Sequence, residues 1–263
     1  MHHRPHRRAF TILELSLVLS VVALLIGSVV AGKSMMRAAE LRSVMTDAQT
    51  YLTAIANFRN QYKYLPGDMP NATKYWGAAD PTPATCVTLA SDDTTCDGNA
   101  DGMVNRSTNE PFRVWQHLRS AGMISQKFTG INSGAGSNDS TPGVNVPAAR
   151  IPNTGFAYVN YTSAGNTVIT AANYGNTLMF GTRYAGFEPL TAAITAVDAF
   201  SMDTKMDDGK PATGQWMANG TGGSSWGSAT ACTTSSGNTD LTGGYNVTAT
   251  AAISCSFYIM SGL

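Results

Sequence analysis

The sequence predicts an α+β protein. A long N-terminal helix, half in a membrane and half amphipathic, packs on an antiparallel β-sheet head with short extra helices and loops. An apolar run over residues 10–32 predicts the membrane half, and an amphipathic pattern over 33–63 predicts its continuation. β-branched and aromatic segments between turn residues predict the sheet. The expected organisation is a cleaved basic leader (1–9), the two helix halves and an extracytoplasmic head (64–263).

The apolar run follows the basic segment MHHRPHRRA and contains one acidic residue, Glu14. As a helix, the run would span ~35 Å, enough to cross a hydrocarbon core of ~30 Å. A carboxylate in lipid is costly, so we expect Glu14 to have a partner and a function.

Three interpretations fit this N-terminus. A secretory signal cleaved near Ala31 and Gly32, or an uncleaved signal anchor, leaves Glu14 without a partner. In the third interpretation, cleavage falls between Ala9 and Phe10, and the new amino group begins the helix one turn from Glu14. The amine of one subunit would then pair with the carboxylate of its neighbour in a staggered bundle, and we favour this interpretation because it explains the acid.

The segment RAFTILELSLVLSVVALLIG resembles the prepilin cleavage and methylation segment of type IV pilins and type II secretion pseudopilins. The resemblance implies that a prepilin peptidase removes the leader, methylates Phe10, and leaves Glu14 as the fifth residue and an assembly contact. Ala9 replaces the usual glycine before the cut, and the proline that many members carry near Ala31 is absent.

Composition favours an exported, β-rich head, because only 13% of residues are charged and Gly, Thr, Ser, Asn and Ala dominate the second half. Loss of the three leader arginines, Arg4, Arg7 and Arg8, would reduce 17 basic residues to 14 against 17 acidic ones. We expect no nucleic acid partner from this balance. The expected partners are other pilin-like subunits, the peptidase and the inner membrane.

Four cysteines lie beyond the helix and predict two disulfides in an oxidising compartment. Four cysteines allow three connectivities, and we favour local pairs, with free thiols or zinc as the alternative. The favoured pairs are Cys86–Cys96 and Cys232–Cys255.

The segment DGNADGMVN has the alternating oxygen side chains and sharp glycine turn of a calcium loop. The twelfth position, Thr108, lacks the bidentate glutamate of an EF-hand, so an Asx-rich turn is the alternative. The expected ligands of a structural calcium ion are Asp97, Asn99, Asp101, the Met103 carbonyl, Asn105 and Glu110. A second acidic group, Asp203, Asp207 and Asp208, fits a turn better than a cation site.

The rest of the head is predicted to consist of short helices and strands connected by loops. Prolines and a glycine over 65–71 stop the long helix. Periodicity predicts short helices over 111–124 and 189–203, the second with Leu190, Ile194, Val197 and Phe200 on one side. Strands are predicted over 156–162, 167–174, 177–184 and 254–260.

No pattern indicates an enzyme. The letters GSSWG over 223–227 match a nucleophile elbow, but they lie in a Gly/Ser loop rather than between a strand and a helix. His117 precedes them and reads as a packing or surface residue. The resemblance to pilins and pseudopilins implies a single-pass protein of the bacterial inner membrane that polymerises into a type IV pilus or type II secretion pseudopilus. The alternatives are a minor tip subunit that acts as an adhesin or cargo-binding module, and a membrane-anchored calcium-binding protein unrelated to filaments.

Overall fold

A computed structural model confirms the α+β class and divides the chain into two compact units, residues 1–41 and 42–263. The structure describes residues 11–80, 94–106, 108–134, 138–161, 175–220, 232–235, 240–248 and 252–263.

Helix α1 (Ile12–Tyr62) contains both predicted helix halves without interruption. In the second unit its apolar stripe is buried as predicted, with Ile55 and Phe58 fully covered. Tyr51 packs edge-on against two core rings, Trp115 at 5.2 Å and Phe156 at 5.3 Å between centroids. These contacts tie the amphipathic half of the helix to the head.

The described part of the second unit contains three short helices besides α1: α2 (Ala72–Trp76), α3 (Glu110–Ser120) and α4 (Ala196–Met206). Helix α3 confirms the helix predicted over 111–124 but ends at Ser120, and Pro111 lies in its first turn, where a missing N–H costs nothing. Helix α2 was not predicted, because five residues carry too little periodicity.

The antiparallel sheet is centred on the C-terminal strand. Strand β1 (Thr154–Tyr161) pairs with β2 (Gly175–Thr182), and β2 pairs with the C-terminal half of β5 (Ile253–Met260). Strand β3 (Ile194–Thr195) pairs with the beginning of β5, and β4 (Trp216–Gly220) pairs along β5 from Cys255 to Ile259. The predicted strands over 156–162, 177–184 and 254–260 are thereby confirmed, whereas 167–174 lies outside the described residues.

Both faces of the sheet are covered. The face that carries Phe156 meets α1 through Tyr51. The opposite face forms a second apolar cluster of Val159, Tyr161, Met179, Met217 and Tyr258. The strands are therefore buried on both sides, which explains why their sequences are apolar runs rather than strict alternations.

The predicted helix over 189–203 is wrong in its first part. Ile194 pairs with Cys255 in the sheet, and the helix begins only after Thr195, whose hydroxyl accepts the Asp198 N–H at 3.1 Å. Val197 and Phe200 are exposed, and Ala199 and Met202 lie on the buried face instead. Sheet pairing overrides the helical spacing, because the backbone at Ile194 gains cross-strand hydrogen bonds that a helix would forfeit.

Candidate functional site

The apolar half of α1 is exposed along its whole described length. Every residue from Thr11 to Met36 is exposed, including Ile12 at 89% and Leu24 at 75%. Within the described ranges, α1 is the one helix long and apolar enough to cross a membrane. Length and composition thus favour a single-pass membrane protein, and a signal sequence has the same property. Apolar surface of this extent is stable only when lipid or protein covers it.

Glu14 and Thr11 form a capping box at the start of α1. The Glu14 carboxylate oxygen Oε2 accepts hydrogen bonds from the Thr11 N–H at 3.0 Å and from the Thr11 hydroxyl at 3.1 Å. The Thr11 hydroxyl oxygen in turn accepts the Glu14 N–H at 3.2 Å. This reciprocal arrangement satisfies N–H groups that have no partner within the helix. The sequence pattern T-x-x-E is the signal that would have predicted it.

The processing residues Ala9 and Phe10 lie outside the described residues. Among the described residues Glu14 is hydrogen-bonded to Thr11, and the pairing with a neighbour's amine stays a prediction.

Most of the predicted calcium ligands already take part in hydrogen bonds within the protein. Asp97 is already engaged, because its carboxylate accepts the Thr73 N–H at 2.8 Å and the Thr73 hydroxyl at 3.1 Å. Asn99 donates to the Asp101 carboxylate at 2.9 Å, and Met103 donates its N–H to the same side chain at 2.8 Å. These are the contacts of an Asx-rich turn.

Glu110 meets the same loop from the start of α3 and accepts the Asn105 N–H at 2.7 Å. No three carboxylates of the described part of the predicted set have oxygens within 4.8 Å of one another. Six predicted ligands thus share one loop region without forming a closed metal shell.

The sequence analysis missed Asp68, which lies beneath this loop. Asp68 is 1% exposed, and its carboxylate accepts N–H groups from Asp101 at 3.1 Å and Gly102 at 3.0 Å. Burial raises the pKa of the Asp68 carboxyl to about 6, and the nearby Asp101 charge also raises it. Burial likewise raises the pKa of Glu110 to about 7, reinforced by the charges of Asp68 and Asp101. Asp68 follows Pro66 and Gly67 in a turn, and only the fold brings that turn to the loop.

Asn176 on β2 fixes the loop from the other side. Its side-chain oxygen accepts the Val104 N–H at 2.9 Å, and its amide donates to the Gly102 carbonyl at 2.9 Å. The loop is therefore anchored to the sheet as well as to the turn of Asp68.

The second acidic group is the tightest in the described part of the chain. The carboxylate oxygens of Asp203, Asp207 and Asp208 lie within 4.8 Å of one another. Each already accepts protein hydrogen bonds: Asp203 from the Tyr245 hydroxyl at 2.6 Å, Asp207 from the Trp216 N–H at 3.0 Å, and Asp208 from the Lys210 N–H at 2.8 Å. Burial raises the pKa of Asp203 to about 7. These contacts support the turn interpretation, with the acids tying α4 to β4 and to the loop of Tyr245.

One predicted disulfide is present. Cys232 and Cys255 are bonded, with 5.1 Å between Cα atoms, and both side chains are fully buried. Cys96 is also disulfide-bonded, and its predicted partner Cys86 lies outside the described residues.

His117 has a packing role. It is fully buried on α3, and Nδ1 accepts the Gly67 N–H at 2.9 Å. The GSSWG segment lies outside the described residues.

Comparison of the chain with protein-family models, with curated proteins and with solved structures finds no match.

Proposed function

We propose that this chain is a filament subunit of the type IV pilus or type II secretion pseudopilus class, assembled through α1 after cleavage between Ala9 and Phe10. The observation that carries the proposal is the exposed apolar half of α1, which begins with an acid and is followed by a head with its own core. Lipid would cover this surface before assembly and neighbouring helices afterwards.

Glu14 has two proposed roles, which differ in chemistry. The capping box needs a hydrogen-bond acceptor, which glutamate and glutamine both provide. Pairing with the amine of a neighbouring Phe10 needs the negative charge. We infer that the charge explains the acid, because a cap alone would not require an ionised group within an apolar run.

The N-terminal mass of the purified protein tests the processing step. We expect a chain that begins at N-methylated Phe10. A chain that begins at Met1 or near Gly32 would contradict the proposal.

Substitutions of Glu14 distinguish its helix-capping role from its proposed ion pair. Glu14→Gln retains the capping box, and Glu14→Leu removes it. We expect both variants to be cleaved, and both to assemble into pelletable filaments at least about 10-fold less than the natural chain, because each loses the ion pair. Assembly of Glu14→Gln at the natural level would reduce Glu14 to a helix cap.

The loop of Asp101 supports a second proposed function, the binding of a structural calcium ion. Asp68 accepts the Asp101 N–H, and the charges that act most strongly on Glu110 are those of Asp68 and Asp101. A divalent cation would relieve this repulsion, and its positive charge would stabilise the ionised form of the buried carboxyls.

Calcium titration of the melting temperature tests this second function. Calcium is expected to raise it by several degrees, and Asp101→Asn to abolish the rise. Asp97→Asn is the matched control, because Asp97 already binds Thr73, and it should lower stability but keep the calcium effect. If Asp208→Asn alone abolishes the effect, the ion binds at the second acidic group. A melting temperature independent of calcium would leave the loop an ordinary turn.

A further inference from the structure

Three aromatic side chains pack together where α1 ends. The Tyr62 ring lies 5.4 Å from both Tyr75 and Trp76 between centroids, at interplanar angles of 87° and 64°. Tyr75 and Trp76 are 5.8 Å apart. Rings at these distances are in direct contact, and Tyr62 and Trp76 are half-buried.

The cluster is rigid on its inner side. Trp76 contacts Phe58 at 6.1 Å and His117 at 5.6 Å, and both of these residues are fully buried. On the outer side Tyr75 is 58% exposed. We call Tyr62, Tyr75 and Trp76 the aromatic platform.

Three exposed cationic residues lie close to the platform residues in the chain. Arg59, Lys63 and Lys74 are exposed, and within the described ranges no carboxylate lies within 4.0 Å of any of them. Lys63 also has φ +67°, a left-handed conformation that costs a non-glycine residue energy. Lys63 follows Tyr62 in the chain and Lys74 precedes Tyr75, while the Asp97 carboxylate lies on the other side of Thr73.

We propose that the aromatic platform binds single-stranded nucleic acid. Planar bases stack on exposed Tyr and Trp rings with little regard to sequence, and the three cations neutralise phosphates beside them. This proposal departs from the expectation of no nucleic acid partner, which rested on overall charge, because a small site responds to the charges next to it. It does not depend on filament formation, since the platform belongs to a single head.

Other ligands fit the platform less well. Bases in a duplex are already stacked on one another, so only unpaired bases expose the flat surfaces that the rings match. An acidic polysaccharide would also satisfy the cations and would pack only the C–H groups of its puckered rings on the aromatic surfaces, so polygalacturonate is the competing ligand in the test.

Fluorescence anisotropy with a labelled 20-residue oligothymidylate tests the stacking. The full-length protein in nonionic detergent should bind the oligonucleotide, and Tyr75→Ala should weaken binding about 5- to 150-fold. Tyr75→Phe should bind normally, since the ring is retained. Tyr184→Ala is the matched control, because Tyr184 is a 43% exposed ring that stacks on Phe187 elsewhere on the head, and it should bind like the natural chain.

Salt dependence tests the charges. With about three phosphates neutralised, affinity should fall about 20-fold between 50 and 200 mM salt, and only about 3-fold in the double variant Lys63→Ala/Lys74→Ala. Lys205→Ala, an exposed lysine on α4, should retain the natural salt dependence.

Four results would overturn the proposal: absence of oligonucleotide binding, equal affinity for duplex DNA of the same length, preference for polygalacturonate over the oligonucleotide, or full binding by Tyr75→Ala. Loss of self-association in Tyr75→Ala without any nucleic acid binding would assign the platform to a subunit contact.

Discussion

His117 shows how one side chain holds together segments distant in sequence. Its Nδ1 accepts the Gly67 N–H, so its Nε2 carries the hydrogen and donates to the Cys96 carbonyl at 3.2 Å. The ring also stacks on Phe58 of α1 at 6.1 Å. One neutral imidazole thus joins α3, the turn after α1 and a disulfide-bonded loop.

This environment makes the stability of the head dependent on pH. Burial lowers the pKa of His117 to about 3, and the nearby Arg113 charge also lowers it. In the unfolded chain the pKa is ~6.5. Between these values the unfolded state takes up a proton that the folded state does not. The contribution of His117 to stability is therefore present above pH ~6.5 and is lost as the pH falls towards 3.

The variant His117→Gln tests this prediction. We expect it to be less stable by ~2 kcal/mol at pH 7.5, because a buried hydrogen-bonding ring is lost. The difference should narrow by ~2 kcal/mol at pH 5, since each pH unit below 6.5 costs the natural chain up to ~1.4 kcal/mol. Urea denaturation of both proteins at pH 7.5 and pH 5 measures this difference in stability.

The raised pKa values of Asp68 and Glu110 act in the opposite direction, because these carboxyls stabilise the fold below their unfolded pKa values and lose that effect as the pH rises. Both carboxyls are present in the natural chain and in His117→Gln, so their contributions cancel in the difference in stability. A constant difference across the pH range would contradict the role given to His117.

At the scale of elements, two glycines set the close approach of loops to the sheet. Gly155 on β1 pairs with Gly181 on β2. A Cβ on Gly181 would lie 2.7 Å from the carbonyl oxygens of Pro189 and Thr191, and one on Gly155 would lie 2.6 Å from the Pro147 oxygen. Backbone therefore packs on the strands where a side chain would otherwise lie.

Gly181→Ala is expected to destabilise the head by ~1 to 3 kcal/mol, because the backbone of 189–191 must move to admit a methyl group. Gly244→Ala is the matched control, since a Cβ there meets nothing within 4 Å, and its effect should stay within ~0.5 kcal/mol. Chemical denaturation compares the two. Equal stabilities of the two variants would show that the backbone of 189–191 moves without a cost in free energy.

At the scale of the whole molecule, the Cys232–Cys255 disulfide attaches the C-terminal loops to the central strand. Cys255 lies on β5, which pairs with β2, β3 and β4. The bond closes a sequence separation of 23 residues, so it restricts the unfolded chain and attaches the segment of Cys232 to the sheet.

Replacement of both cysteines by serine should lower stability by ~3 kcal/mol, or the melting temperature by ~6 to 12 °C for a head of this size. The single variant Cys232→Ser leaves a free thiol and serves as a comparison. A melting temperature within ~2 °C of the natural value would show that packing alone holds the loop.

Some residues of the candidate sites can be identified from the sequence, and others only from the fold. The apolar run, Glu14 and the capping pattern T-x-x-E are local, so periodicity and spacing identify them. Asp68 cannot be found in this way, because it joins Asp101 and Glu110 only when the turn after α1 folds over the loop. The aromatic platform likewise combines Tyr62 with rings that follow a turn.

By itself the sequence determined the long helix, its apolar and amphipathic halves, α3 and the strands β1, β2 and β5, because each has a local pattern longer than one turn or one pleat. Only the tertiary structure decided that Ile194 enters the sheet instead of a helix, that β4 takes an edge of β5, and that buried acids and aromatic rings from separate segments come together. The physical reason is that these features depend on cross-strand hydrogen bonds, burial and charge between residues far apart in the chain, which no local pattern records.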